Sequence, residues 1–190
     1  LVHHAISMVP LVRSASLLRL AFLVAGALAI LAAFGTEALL SAGEVVAFPT
    51  ETVYGLGARA DDDAAVAKIF AMKGRPVDHP LIVHVADVQG VTAFAAEVPD
   101  AAQRLMQACW PGPVTLILKR RDGIANAAAA GQGTIGLRCP AHPVAQALLR
   151  EAALLGVPGI AGPSANRFGR VSPTTAAHVA SEFGGNDGGD

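Results

Sequence analysis

An excess of either charge is missing: 14 Lys and Arg stand against 15 Asp and Glu in 190 residues, a formal net charge of −1. So balanced a chain has no global field to gather nucleic acid or anionic lipid, and any anion site has to be assembled locally. Cysteine is scarce too. Cys109 and Cys139 are the two present, each inside an apolar pattern, which argues against a disulfide framework and fits two free buried thiols in a reducing compartment. Neither has a His or second Cys at zinc-ligand spacing. Aromatic residues make up 5% of the chain, few for a surface on which successive RNA bases stack. The glycine-rich stretch from Pro49 to Gly57 has the spacing of neither GxxxxGKS/T nor GxGxxG, so it is neither a Walker loop nor a Rossmann fingerprint. No Ser-His-Asp arrangement and no internal repeat is found.

What is present is an apolar, foldable composition, with 53% hydrophobic and 15% charged residues. Its length fits one domain with a real core. Part of the apolar excess is local: Leu20 to Gly35 runs without a polar side chain, after Arg13 and Arg19. A membrane helix needs about 20 apolar residues and a signal core is shorter, so this run lies between the two. A core helix, or a non-native leader before a wrongly chosen start, are the other readings, since the chain opens at Leu1. Residues 1–35 are therefore set apart as an apolar leader, 36–183 as one domain and 184–190 as a truncated linker or turn. A membrane association is not expected outside the leader.

From Thr36 onward the punctuation is that of an alternating α/β domain. Strands are expected at Val45–Phe48, Leu81–Ala86, Val114–Leu118, Thr134–Arg138 and Gly159–Gly162. A helix capped within Asp61–Asp63 carries Val66, Ile69 and Phe70 and stops at Gly74 and Pro76. A second helix follows Pro99 with Ala102, Leu105, Met106 and Cys109 in one stripe. A third covers His142–Leu155, and Ser172 with Pro173 opens the last.

Unusual polar residues cluster where strands end, the place at which open α/β sheets hold ligands. Pro49 to Gly57 offers two hydroxyls, the aromatic Tyr54, and glycines that let a backbone approach a ligand. A plain turn is its alternative. Lys73 and Arg75 flank Gly74 past a helix end, free to swing toward one polyphosphate, or else serving the helix dipole. Arg138 ends an apolar strand, where a guanidinium is costly unless paired with a carboxylate or phosphate; a fixed carboxylate is the default partner and a substrate carboxylate the sharper alternative. Pro163 to Asn166, with Arg167, Arg170 and Ser172 before a helix, forms an anion nest. His84 reads as a core residue, His79 and His142 as surface residues, and Lys119-Arg120-Arg121 as a solvated strand end.

In chain order the motifs are PTETVYGLGA, KGRP, PLIVH, WPGPVTLILK, LRCPAHP and GPSANRFGRVSPTT. Together, from Gly43 to Phe183, they resemble the YrdC-like threonylcarbamoyladenylate synthases. The resemblance implies an α/β fold, a twisted mixed open sheet flanked by helices around a concave cationic cleft. It implies a nucleotidyltransferase that joins L-threonine, bicarbonate and ATP, with Mg2+ on the phosphates, releases pyrophosphate and hands the adenylate to a tRNA-modifying transferase complex in the cytoplasm. Thr52, His84 and Arg138 fall on the L-threonine side. Lys73, Arg75, His79, Thr134, Ser164, Asn166 and Ser172 fall on the nucleotide side, with Lys73 and Arg75 as catalytic charges and Thr50 and Tyr54 in support. Family members continue past this chain's end with segments that complete the cleft, so weak or absent activity is expected of the fragment alone. Relatives also carry an amphipathic helix near the start, of which Thr36 to Ala42 is the remnant expected here. The alternatives are a double-stranded RNA or tRNA-binding module of the same fold without catalysis, and the related domain of carbamoyl-transferring hydrogenase-maturation proteins.

Overall fold

The computed structural model describes residues 21–22 and 28–183, with side-chain surroundings from Gly35 onward. The expected linker at 184–190 and most of the apolar leader lie outside the described residues. The elements are β1 (Ala21–Phe22), α1 (Leu28–Ser41), β2 (Val46–Phe48), β3 (Gly55–Arg59), α2 (Asp63–Lys73), β4 (Ile82–His84) and α3 (Val88–Phe94). They continue with α4 (Asp100–Cys109), β5 (Leu116–Lys119), β6 (Thr134–Arg138), α5 (Pro143–Leu154), β7 (Ile160–Ala161) and α6 (Ala176–Phe183). The strands form one sheet in the order β1-β2-β3-β7-β4-β6-β5. It is mixed: β4 runs parallel to β6, while β2–β3, β3–β7, β4–β7 and β5–β6 are antiparallel. No described helix is long and apolar enough to cross a membrane.

Alternation along β2 divides the core. Val46 and Phe48 join Leu40 of α1, Leu148 of α5 and Ile160 in one cluster, whereas Ala47 faces a larger one with Val66, Ile69 and Phe70 of α2. Successive strand residues point to opposite faces, so each cluster lies on its own side of the sheet. Helix α2 begins at Asp62, whose carboxylate accepts the Ala64 and Ala65 N–H groups at 2.9 and 3.2 Å. It ends at Gly74, with φ +58°, a left-handed conformation that glycine reaches without a Cβ clash.

Four expectations need correction. Gly55–Arg59 is a strand, not a turn, and it pairs with both β2 and β7. Helix α3, capped by Asp87 through the Gly90 N–H, precedes the helix expected after Pro99. In α4 only Ala102 and Met106 are buried, and Leu105 is 48% exposed. The last helix starts at Ala176, four residues after Ser172; Thr175 Oγ1, which accepts the His178 N–H, does the capping instead.

Candidate functional site

Parallel pairing of β4 with β6 sets His84 beside Arg138. Both are buried strand-end residues. Arg138 donates through Nε to Gly112 O at 3.3 Å and through Nη2 to Glu51 Oε1 at 2.6 Å. Thr52 Oγ1 lies 3.4 Å from both Nη1 and Nη2, at the edge of hydrogen-bonding range. The fixed carboxylate that a buried strand-end arginine requires is therefore Glu51, whose other oxygen accepts the Ala141 N–H at 3.1 Å. Burial alone would raise the Glu51 pKa, but the hydrogen bond and charge of Arg138 hold it below the usual carboxylate value.

His84 is 3% exposed and meets Phe48 edge to face, with ring centroids 5.5 Å apart. Burial, reinforced by the Arg138 charge, lowers its pKa to about 4, so the ring is neutral at pH 7. Its Nδ1 is buried without a hydrogen-bond partner. The glycines nearby serve packing rather than the approach of backbone to ligand expected of them. A Cβ on Gly55, Gly57 or Gly162 would come within 2.9, 2.8 or 2.9 Å of the Phe48 ring, so these glycines form the seat of the ring that supports His84. A cavity of about 150 Å³ opens here, lined among others by Thr50, Thr52, Tyr54, His84, Arg138 and Ser164. Thr50 shapes the loop above it: Oγ1 donates to Val53 O at 2.7 Å and lies 2.9 Å from Thr52 Oγ1.

Lys73 overturns the expectation of a swinging cation. It is 2% exposed, and Nζ donates to the carbonyl oxygens of Ser164 and Asn166. Burial, with the neighbouring Arg75 charge, lowers its pKa to about 8. The Phe168 N–H in turn donates to Lys73 O at 2.7 Å, so the end of α2 and the Ser164–Phe168 loop form one unit. Arg75 spends Nη2 on Pro80 O at 3.3 Å, and its buried Nε has no partner.

The loop is also sewn to β3, where Leu56 N–H donates to Pro163 O and Ala165 N–H to Tyr54 O, both at 2.8 Å. Its two ends serve two cavities. Ser164 lines the first, while Asn166 and Ser172 line a second, of about 190 Å³, closed by His178, Ser181 and Glu182 of α6. Asn166 Nδ2 donates to Arg167 O and Arg170 O, but its buried Oδ1 has no partner. The anion nest expected here is already occupied from within: Glu182 accepts the Arg167 N–H at 2.8 Å and pairs with Arg170 at 3.6 Å.

Three of the remaining residues lie apart from these linings. His79 is exposed and tilts against Phe168, with ring centroids 5.7 Å apart. Thr134 opens β6, exposed, beside Lys119. His142 caps α5 by accepting the Val144 N–H on Nδ1. Nor is the basic run simply solvated, since Arg120 donates to Gln132 O and Ile124 O, and Arg121 to Thr92 O. Glu51 is the site residue that sequence reasoning did not single out; the signal for it was the need of Arg138 for a carboxylate.

A mixed α/β sheet with a buried Arg-His pair at adjacent strand ends, and an Asn-bearing loop clamped by a buried lysine, gives polar pockets of a size and lining suited to a small molecule. Residues 38–188 match the family model of Sua5, YciO and YrdC proteins, described as "Telomere recombination". The chain belongs to this family. It is 51% identical over 149 residues to the threonylcarbamoyl-AMP synthase of Bacillus subtilis, covering 78% of this chain and 42% of the relative. It is 37% identical over 142 residues to the threonylcarbamoyl-AMP synthase of Idiomarina loihiensis, covering 74% of each. The crystal structure of Pyrococcus abyssi Sua5 complexed with L-threonine superposes with a TM-score of 0.76 at 42% identity, over 80% of this chain and 43% of that one. The chain thus spans about two fifths of the length of its Bacillus subtilis relative.

Proposed function

We propose that this chain carries the catalytic centre of an L-threonylcarbamoyladenylate synthase. The observation that carries the reading is where unmet hydrogen-bonding capacity lies. Among the described residues four buried side-chain atoms lack a partner, and three of them belong to Arg75, His84 and Asn166. Folded chains rarely leave such atoms unsatisfied, and those that remain call for an explanation such as an absent ligand. The relative solved with L-threonine supports an amino acid in the Arg138–His84 cavity. There Arg138 pairs with the carboxylate, while Thr52 and neutral His84 meet the remaining polar groups.

In the reaction the threonine amine takes up bicarbonate with loss of water to give a carbamate. A carbamate oxygen then attacks the α-phosphorus of ATP and pyrophosphate leaves. No covalent bond to the protein is required, so the chain contributes alignment and charge. Arg75, whose buried Nε has no partner, faces the phosphates, Asn166, Ser164 and Ser172 take the nucleotide side, and Lys73 holds the loop that carries Ser164 and Asn166. Among the described residues no group of three or more His, Cys, Asp or Glu side chains is placed to hold a metal. Magnesium would enter with the substrate, on the ATP phosphates. The adenylate passes to a tRNA-modifying transferase complex, with a transient tRNA contact, in a cytoplasmic setting.

The test is pyrophosphate release from ATP with and without L-threonine and bicarbonate, on this chain extended to the usual length of the family and on its Arg75→Ala variant. Release that depends on both co-substrates, and falls on the order of 10²–10³-fold in the variant, is expected by analogy with loss of one oxyanion donor. Release indifferent to L-threonine, or undiminished in the variant, refutes the assignment.

A further inference from the structure

We propose that Glu51 is a positioning residue that holds the Arg138 guanidinium from behind and so presents Nη1 to the carboxylate of an amino acid in the cavity. The proposal rests on the amino-acid reading of that cavity. Its geometry is specific. Glu51 does not grip the guanidinium bidentately; Oε1 takes Nη2 at 2.6 Å, while Oε2 is anchored on the Ala141 N–H at 3.1 Å. That second bond ties the carboxylate to the loop after β6, so turning toward the cavity would break it. Arg138 lines the cavity, whereas Glu51 does not. With Nε on Gly112 O and Nη2 on Glu51, Nη1 is left with one long contact, 3.4 Å to Thr52 Oγ1. Thr52 itself lines the cavity, so the least satisfied donor of the guanidinium lies on the ligand's side. A carboxylate arriving there gains a charge-assisted bond to a donor already oriented.

The arrangement also settles the charge balance before a ligand arrives. Arg138 is 7% exposed, and a guanidinium so buried is unfavourable unless compensated. Glu51 compensates it, leaving a pocket of neutral His84 and a balanced ion pair, which suits a zwitterion better than a bare anion. A competing role, in which Glu51 occupies the place of the ligand carboxylate, makes the opposite prediction for its removal.

The experiment uses this chain, nitrogen-15 labelled, as wild type, Glu51→Ala and Glu51→Gln, with Arg138→Lys to assign the arginine signals. The wild type is expected to show separate Nη1 and Nη2 resonances for Arg138, because rotation about Nε–Cζ is hindered. Glu51→Ala merges them, and Glu51→Gln, which keeps an acceptor, merges them in part. Titration with L-threonine by calorimetry then shows about tenfold weaker binding in Glu51→Ala and a smaller loss in Glu51→Gln. If Glu51→Ala fails to fold, Glu51→Gln carries both readouts. Unchanged Nη signals in the folded variants, or tighter L-threonine binding, overturn the proposal. A wild-type chain that takes up no L-threonine sinks the amino-acid reading, while the Nη comparison still decides the role of Glu51.

Discussion

Acidification should destabilise this chain through one identifiable histidine. His84 is buried in the fold with a pKa lowered to about 4, first by burial and then by Arg138, whereas unfolded it titrates near the ordinary histidine value of 6.5. Its folded pKa lies below its unfolded one, so between these values the unfolded chain binds a proton that the folded chain refuses. Stability therefore rises with pH across this window and is lost as pH falls from about 6.5 toward 4. The gap is worth about 3 kcal/mol in all, a large share of the 5–15 kcal/mol that typically holds a domain together. Glu51 does not cancel this, because Arg138 keeps its carboxyl below the ordinary value. The assay is urea unfolding at pH 7 and pH 4 for the wild type and for His84→Asn, which removes the titrating ring. Other groups titrate in both proteins, so the difference of differences isolates His84. The wild type should lose about 3 kcal/mol more than the variant between the two pH values. Equal losses would refute the reasoning, and with it the view that His84 is buried next to a fixed positive charge.

Three further outcomes are expected. Gly57→Ala places a Cβ 2.6 Å from Ile160 Cγ2 and 2.8 Å from Phe48 Cε1, so thermal unfolding should show a loss of about 1–3 kcal/mol from overpacking. Asp62→Ala removes the acceptor of the Ala64 and Ala65 N–H groups and should cost about 1 kcal/mol in urea unfolding. Lys73→Met keeps the aliphatic stem but leaves the carbonyls of Ser164 and Asn166 without their donor. Amide hydrogen exchange should accelerate at Phe168, whose N–H bonds Lys73 O, while that of the buried β4 and β6 strands is unchanged; uniform acceleration would point to global unfolding instead.

The strands could be read because their apolar runs are short and β-branched, and β6 matches its expected bounds from Thr134 to Arg138. Strand β3 escaped notice for a physical reason. Gly55 and Gly57 have no side chains to display a period of two, and they are glycines because Phe48 fills the space their side chains would need. Helix α3 is seven residues long, too short for its periodicity to stand out. Within the site, the need of Arg138 for a carboxylate was legible from its setting alone. That Glu51 meets it depends on a contact across 87 positions, which no local pattern encodes. The burial of Lys73 was equally hidden, because its partners lie in a loop 91 and 93 positions away. A cation past a helix end looks the same in sequence whether it is solvated or enclosed.

The attachment of Lys73 to that loop makes α2 a ruler. Asp62 fixes one end of the helix and Gly74 the other, so the number of residues between them determines both the reach and the bearing of the ammonium group. One inserted residue would advance Lys73 by about 1.5 Å and rotate it by about 100° around the axis. The loop bordering both cavities would then lose its peg without any change to a residue that lines them. In this segment length itself is under constraint, and substitutions on the outer face of α2 should be tolerated where a single insertion or deletion is not.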